Sequence, residues 1–230
     1  MMPKPISSSI SRLTAISLTL MLWLTTAAAQ PSANGLQESD TVPLFRGVAV
    51  SVDVVGAAQL AFSSYGQYEA ALRLNLRDRY FPIVEMGLGK ADADDVSTGL
   101  RYTTSAPYAK AGVDFNLMRN KHDAYRVYGG MRYAFTSFKF DVESEGITDP
   151  VWGDNVDYGR TGVKASYHWL EAVFGVDAKL WGPVRLGWSL RYRRRLFHDD
   201  GDMGNTWYVP GYGKQGSSRL GGTFNIIFEL

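Results

Sequence analysis

Eight stretches of this chain alternate apolar and polar side chains at period two, and that pattern leaves few folds open. Alternation of this kind puts two chemically different faces on one extended strand. The stretches are residues 45–55, 65–77, 81–90, 108–118, 125–140, 167–179, 184–195 and 218–230. In the first, Val48, Val50, Val52 and Val54 oppose Ala49, Ser51 and Asp53; in the fourth, Ala109, Ala111, Val113 and Phe115 oppose Lys110, Gly112 and Asp114. The alternation blurs after Ser137, where a bulge would account for it. The connections mostly alternate in length. Short ones fall at 77–80, 119–124 and 180–183, and long ones at 91–107, 141–166 and 196–217; the first, 56–64, is of middling length. Short turns at one end and long loops at the other predict an eight-stranded antiparallel up-and-down barrel.

The chain begins with a second constraint. Lys4 and Arg12 precede an apolar run, 13–24, and Ala27-Ala28-Ala29 follows it. That three-part layout predicts a cleaved secretory signal over residues 1–29. The apolar core is about 12 residues, short of the roughly 20 a spanning helix needs. Residues 30–43 read as a flexible lead-in and 44–230 as the barrel. Cleavage removes two bases and no acid from totals of 24 and 23, so the mature chain is close to neutral. No basic excess points to nucleic acid. There is no cysteine, hence no disulfide, thiolate metal site or lipid-anchored N-terminus.

The two faces differ in a way that identifies their surroundings. The apolar stripe rarely carries a charge, as hydrocarbon requires. The other stripe carries Asp53, Glu69, Glu85, Asp114, Glu171, Asp177 and Glu229 against Arg73, Lys110, Arg132, Lys179, Arg185, Arg191, Arg193 and Arg219, interleaved with glycines. A near-neutral charged set with small residues suits a narrow interior, because burial demands charge pairing. A transmembrane barrel in the outer membrane of a Gram-negative bacterium is therefore expected. The expected lumen network is Glu69, Arg73, Glu85, Lys110, Asp114, Arg132, Glu171, Asp177, Arg185, Arg191, Arg193 and Arg219. Aromatics near strand ends (Phe45, Tyr65, Tyr80, Tyr108, Tyr125, Tyr167, Trp181 and Phe228) are assigned to the interfacial girdles.

Chemistry-bearing motifs are few. The long connections are acidic, which would suit Ca²⁺ or Mg²⁺, but Asp199-Asp200-Gly201-Asp202 lacks calcium-loop spacing and a closing Glu, so no metal or cofactor is assigned. Ser166 and His168 could share a face near a strand end, the kind of pair a rim-site lipid hydrolase or acyltransferase uses, with no third member identified. The expectation is a non-enzymatic barrel of structural or interaction type, an accessory subunit beside larger membrane machinery or a loop-displaying adhesin. Its partners would be lipid and other outer-membrane proteins. A narrow transport or ligand-binding barrel is the alternative, and a lipid-modifying enzyme the third reading.

Two blocks also resemble a known family. They are Gly112-Val113-Asp114-Phe115-Asn116-Leu117 with Val127-Tyr128-Gly129-Gly130-Met131-Arg132-Tyr133-Ala134-Phe135, and Tyr68-Glu69-Ala70-Ala71-Leu72-Arg73 with Pro82-Ile83-Val84-Glu85-Met86-Gly87-Leu88-Gly89. They resemble an uncharacterised, domain-of-unknown-function family of small Gram-negative outer-membrane barrels. The resemblance implies fold and location and carries no functional residue with it.

Overall fold

The computed structural model describes residues 43–230 apart from 96–98, 145, 149–152, 154, 157–158 and 205. The expected signal segment and nearly all of the lead-in lie outside the described residues. Eight strands form the barrel: β1 (Phe45–Asp53), β2 (Tyr65–Leu76), β3 (Tyr80–Asp95), β4 (Leu100–Asn116), β5 (Tyr125–Ser144), β6 (Arg160–Trp181), β7 (Val184–Asp199) and β8 (Ser218–Glu229). Each pairs antiparallel with the next, and β8 closes on β1 through the register Ala49↔Glu229 to Asp53↔Asn225. Val48 and Leu230 exchange backbone hydrogen bonds, so both ends of the barrel meet at one rim.

The faces fall as the alternation requires. Lys110, Glu85, Glu171, Asp114 and Asp177 are almost wholly buried, while Val84, Met86, Met131 and Leu190 are 50, 64, 59 and 50 % exposed. No outward position carries a charge between Tyr80 and Leu88 on β3, Tyr125 and Phe135 on β5, or Val184 and Tyr192 on β7. A continuous apolar band of this extent far exceeds what a water-soluble surface carries. Phe45, Tyr80, Tyr125, Trp181 and Phe228 are exposed at the end of the barrel where the termini lie, as an interfacial girdle requires. This is a transmembrane barrel, and its apolar face is the outer one.

Three expectations need correction at the other end. The first two long connections, 91–107 and 141–166, are mostly strand: β6 runs 22 residues, about twice the roughly 9–11 that span a bilayer. Beyond the band the polarity inverts. Phe138, Phe140 and Val142 point inward there, and Ser137, Lys139 and Glu143 point outward. That inversion, and no bulge at Ser137, blurs the pattern; the one irregularity on β5 against β6 lies between Phe140 and Val142. Tyr108 and Tyr167, assigned to the girdle, are buried inside, and Tyr65 is half-buried against Trp207 and Tyr208. Their parity is that of Lys110, Glu171 and Glu69, so the pleat turns them inward.

The first connection is also not a loop. Val54–Phe62 forms helix α1, whose N-cap Asp53 accepts hydrogen bonds from Val55 and Gly56 at 3.1 Å. Such a cap satisfies amides that the first helical turn leaves open. The same carboxylate accepts from the Phe224 amide of β8 at 3.2 Å. Asp53 thus belongs to the helix start and not to the paired lumen set.

At the rim of the termini, Arg77 and Asp78 turn β2 into β3 with φ of 55 and 53°. Asp tolerates this left-handed region better than most residues. Its amide donates to Asn75, and its carboxylate takes Arg46 at 2.7 Å and His122 at 2.6 Å. Burial raises the Asp78 carboxyl, but the Asn75 and His122 hydrogen bonds and the Arg46 and Arg126 charges outweigh it and hold the group below the ordinary carboxylate range. A carboxyl depressed in the folded state adds stability above its unfolded pKa and loses it as pH falls through the folded value. Wild type is therefore expected to be more stable than Asp78→Asn at pH 7. The gap should close as pH drops below about 4, read from urea midpoints at each pH; a constant gap would contradict the assignment.

Candidate functional site

Period-two strands aim one side chain in two at the barrel axis, so an eight-stranded wall fills its own interior. Here that interior is an ion-pair core. Lys110 Nζ lies 2.9 Å from Glu69, 3.1 Å from Glu171 and 3.7 Å from Glu85. Arg191 spans the same carboxylates, with Nη1 2.9 Å from Glu69, 2.8 Å from Glu85 and 3.6 Å from Glu171. Arg132 joins Glu85 at 2.8 Å to Asp114 at 3.0 Å. Arg193 reaches Glu171 at 3.1 Å. Arg73 pairs with Asp177 and lies over the rings of Phe81 and Tyr128. Five carboxylates thus meet five cations drawn from six strands, so the core ties distant parts of the wall together.

Ten of the twelve expected network residues are in that core. Arg185 lies apart at the rim of the termini, 3.1 Å from Glu229. Arg219 is a correction. It stands on the inward face but at the opposite end, where its guanidinium donates to the carbonyls of Lys214 and Gln215 at 2.7 and 2.9 Å. Among the described residues no lumen carboxylate pairs with it at that height, so it braces a loop. Lys179, on the charged stripe, is exposed at the rim. Arg126 is a member that sequence reasoning missed: it joins Glu229 at 2.7 Å and Asp78 at 3.4 Å. Its even-numbered parity with Arg132 was the available signal.

The tight fit rests on glycines. Tyr108 lies over Gly87 and Tyr128 over Gly175, and a Cβ on either glycine would come within 2.3–2.4 Å of the ring. Tyr108 then donates to Glu69 at 2.7 Å. The space left within the charged core is a cavity of about 20 Å³ lined by Glu69, Arg73, Glu85, Arg132 and Arg191, room for a water molecule and little more. A wider cavity of about 340 Å³ opens at the rim of the termini, among Arg46, Asp78, His122, Arg126, Lys179 and Arg185.

Above the ion pairs, the connection after β7 folds back into the barrel. Tyr208, Val209 and Tyr212 are buried against Tyr102, Phe138, Phe140, Tyr167 and Trp169. The carbonyl of Tyr208 accepts from Tyr102 at 2.7 Å, and its hydroxyl donates to Gly66 at 3.0 Å. Arg193 donates to the Tyr212 carbonyl at 2.8 Å and links this plug to the ion pairs. Gly211 makes the turn at φ +80°, where a Cβ would lie 2.5 Å from the Tyr108 ring. Left-handed strain and overpacking act together there. Gly211→Ala is expected to destabilise the barrel by about 2–4 kcal/mol and to expose the plug to protease. Urea unfolding and limited proteolysis check this, and unchanged protection would contradict it.

The other sequence candidates take no catalytic or metal-binding arrangement among the described residues. His168 and Ser166 are both on the outward face, but His168 Nδ1 is held by the Tyr133 hydroxyl at 2.6 Å and its ring packs on Phe135 and Phe197. Asp199 accepts from the Gly201 amide, and Asp200 accepts from Tyr167 and Thr206, so the acidic cluster does not converge on one point.

A family model, "Domain of unknown function (DUF6048)", matches residues 10–229, and the chain belongs to that family. A comparison with the curated proteins gives no match. Among solved structures, the chain is similar to Neisserial surface protein A, with 13 % identity over 81 % of this chain and 99 % of that one at a TM-score of 0.45. It is also similar to a major outer membrane protein of Thermus thermophilus, with 16 % identity over 80 and 100 % of the two chains at 0.38. The Ail protein of Yersinia pestis gives 12 % identity over 80 and 93 % at 0.36.

Proposed function

We propose that this chain is an outer-membrane protein of structural or interaction type, and that its barrel is a closed scaffold. The observation that carries the reading is the filled interior. A paired ion core with about 20 Å³ of free space lies beneath a buried aromatic plug, and the two together fill the interior among the described residues. Buried ion pairs held in one geometry are commonly structural. The surfaces available for work are then the lipid-facing band and the strands that rise beyond it. These present polar outward rows on β3 to β6 to whatever lies outside the membrane. An accessory role beside larger membrane machinery and display of an adhesive surface both use those faces.

The test is single-channel recording of the refolded protein in planar bilayers. The scaffold reading expects no conductance steps above the bare membrane. Reproducible steps from wild type would contradict it and favour the narrow transport barrel.

A further inference from the structure

Just beyond the lipid-facing band, the ladder register sets two lysines opposite each other. Lys139 of β5 faces Lys164 of β6, and both side chains point outward and are exposed. Like charges directly opposite on an antiparallel pair are destabilising. Neither ammonium has an ion-pair partner among the described residues. The same ladder row continues outward from β5. Thr104 pairs with Phe140, which sets Ser105 of β4 beside Lys139, and Ser105 pairs with Lys90 of β3, a third exposed lysine.

Below this row the same outward face turns apolar. Ser137 and Ser166 form the next row down, and Phe135 and His168 the one after, with Tyr133 beneath. Phe135 and Tyr133 are 41 and 46 % exposed and belong to the aromatic belt at the edge of the hydrocarbon. A lysine four residues beyond that belt stands in the headgroup layer, and its side chain can reach back to a phosphate. Among the acids near this row, Asp92 holds Arg101 at 2.9 Å, while Asp141 and Asp199, the ladder partner of Ser166, accept from the Gly162 and Gly201 amides and form no ion pair with these lysines among the described residues. Three lysines in one row with no ion pair among the described residues, two of them in mutual repulsion, with the Ser105 hydroxyl between Lys139 and Lys90 and an apolar wall beneath, complement an anionic headgroup whose acyl chains lie along that wall.

We propose that Lys139, Lys164 and Lys90 form a docking site for the phosphate of a phosphorylated glycolipid in the outer leaflet. The proposal rests on the reading of this chain as an outer-membrane barrel. Phosphate is the fitting group because it offers several strong acceptor oxygens to more than one ammonium at once, and because it removes the repulsion between Lys139 and Lys164.

The experiment uses the full mature chain refolded into phosphatidylcholine vesicles and then into detergent. It is titrated with diphosphorylated diglucosamine lipid or with its dephosphorylated form, and retained lipid is counted by native mass spectrometry. Wild type is expected to hold the phosphorylated lipid about 10–30-fold more tightly than Lys139→Gln/Lys164→Gln, and the dephosphorylated lipid no better than the variant does. Lys164→Glu should lose binding and, in neutral lipid, unfold at higher urea than wild type, because it turns a repulsion into an attraction. These substitutions lie on an exposed face, so folding is expected to survive them. Equal binding by wild type and double variant, or binding without dependence on phosphate, would overturn this site alone. Failure of both proteins to insert into vesicles would overturn it together with the membrane reading.

Discussion

Asp177→Leu is expected to cost about 3–5 kcal/mol of folding stability, while the double variant Arg73→Met/Asp177→Leu returns to within about 1 kcal/mol of wild type or exceeds it. Asp177 is wholly buried and, among the described residues, its ion-pair partner is Arg73, whose guanidinium is buried between the rings of Phe81 and Tyr128. Removing the carboxylate leaves a buried cation without its ion-pair partner. Removing both replaces a pair by apolar side chains of similar length and relieves the desolvation cost of each. Urea unfolding followed by tryptophan fluorescence, in the same lipid for all four proteins, completes the cycle. A double variant no better than Asp177→Leu would show that Arg73 is stabilised by something other than this pair. The same change in the Lys110 cluster would be less clean, because Arg191 shares all three of its carboxylates.

The second large effect belongs to the outer face. Val84 is 50 % exposed in the middle of the uncharged outward run of β3. If lipid meets it, Val84→Arg should cost about 2–4 kcal/mol. On a surface in contact with water, the same change would stay within about 0.5 kcal/mol. Thr103→Arg, outward on β4 but beyond the band and opposite Asp92 and Asp141, is the internal control and should fall within that smaller range. Equal small effects at both positions would mean that the apolar face is covered by something other than lipid, or by nothing.

How much of this was legible in the sequence follows from where the pattern stays simple. Within the band each strand has one apolar and one polar face, so parity places Glu85, Lys110 and Glu171 inside and Met86, Ala109 and Phe174 outside without further knowledge. Beyond the band the inside is aromatic and the outside polar, so the same parity carries the opposite chemistry. A segment such as 100–107 then reads as loop. Tyr108 and Tyr167 were assigned by position near a strand end, although their parity with Lys110 and Glu171 already put them indoors. Arg219 has inward parity, but height along the barrel decides its partners, and one strand's sequence does not state height. The plug at Tyr208–Tyr212 left only the Pro210-Gly211 turn as a trace, because its contacts are made with residues on other strands, from Gly66 to Arg193, that its own sequence does not state. Helix α1 had an Asp cap and a run of small apolar residues, and its brevity hid it in a connection.

The apolar outer face is the claim on which the rest stands, and cell fractionation with heat-modifiable gel migration tests it most directly. The full-length chain, expressed in a Gram-negative host, is predicted to appear in the outer-membrane fraction and to run at a different position unboiled than boiled, because a lipid-embedded barrel stays folded in cold detergent. A folded protein released with the soluble periplasmic contents, showing no shift on boiling, would contradict the account.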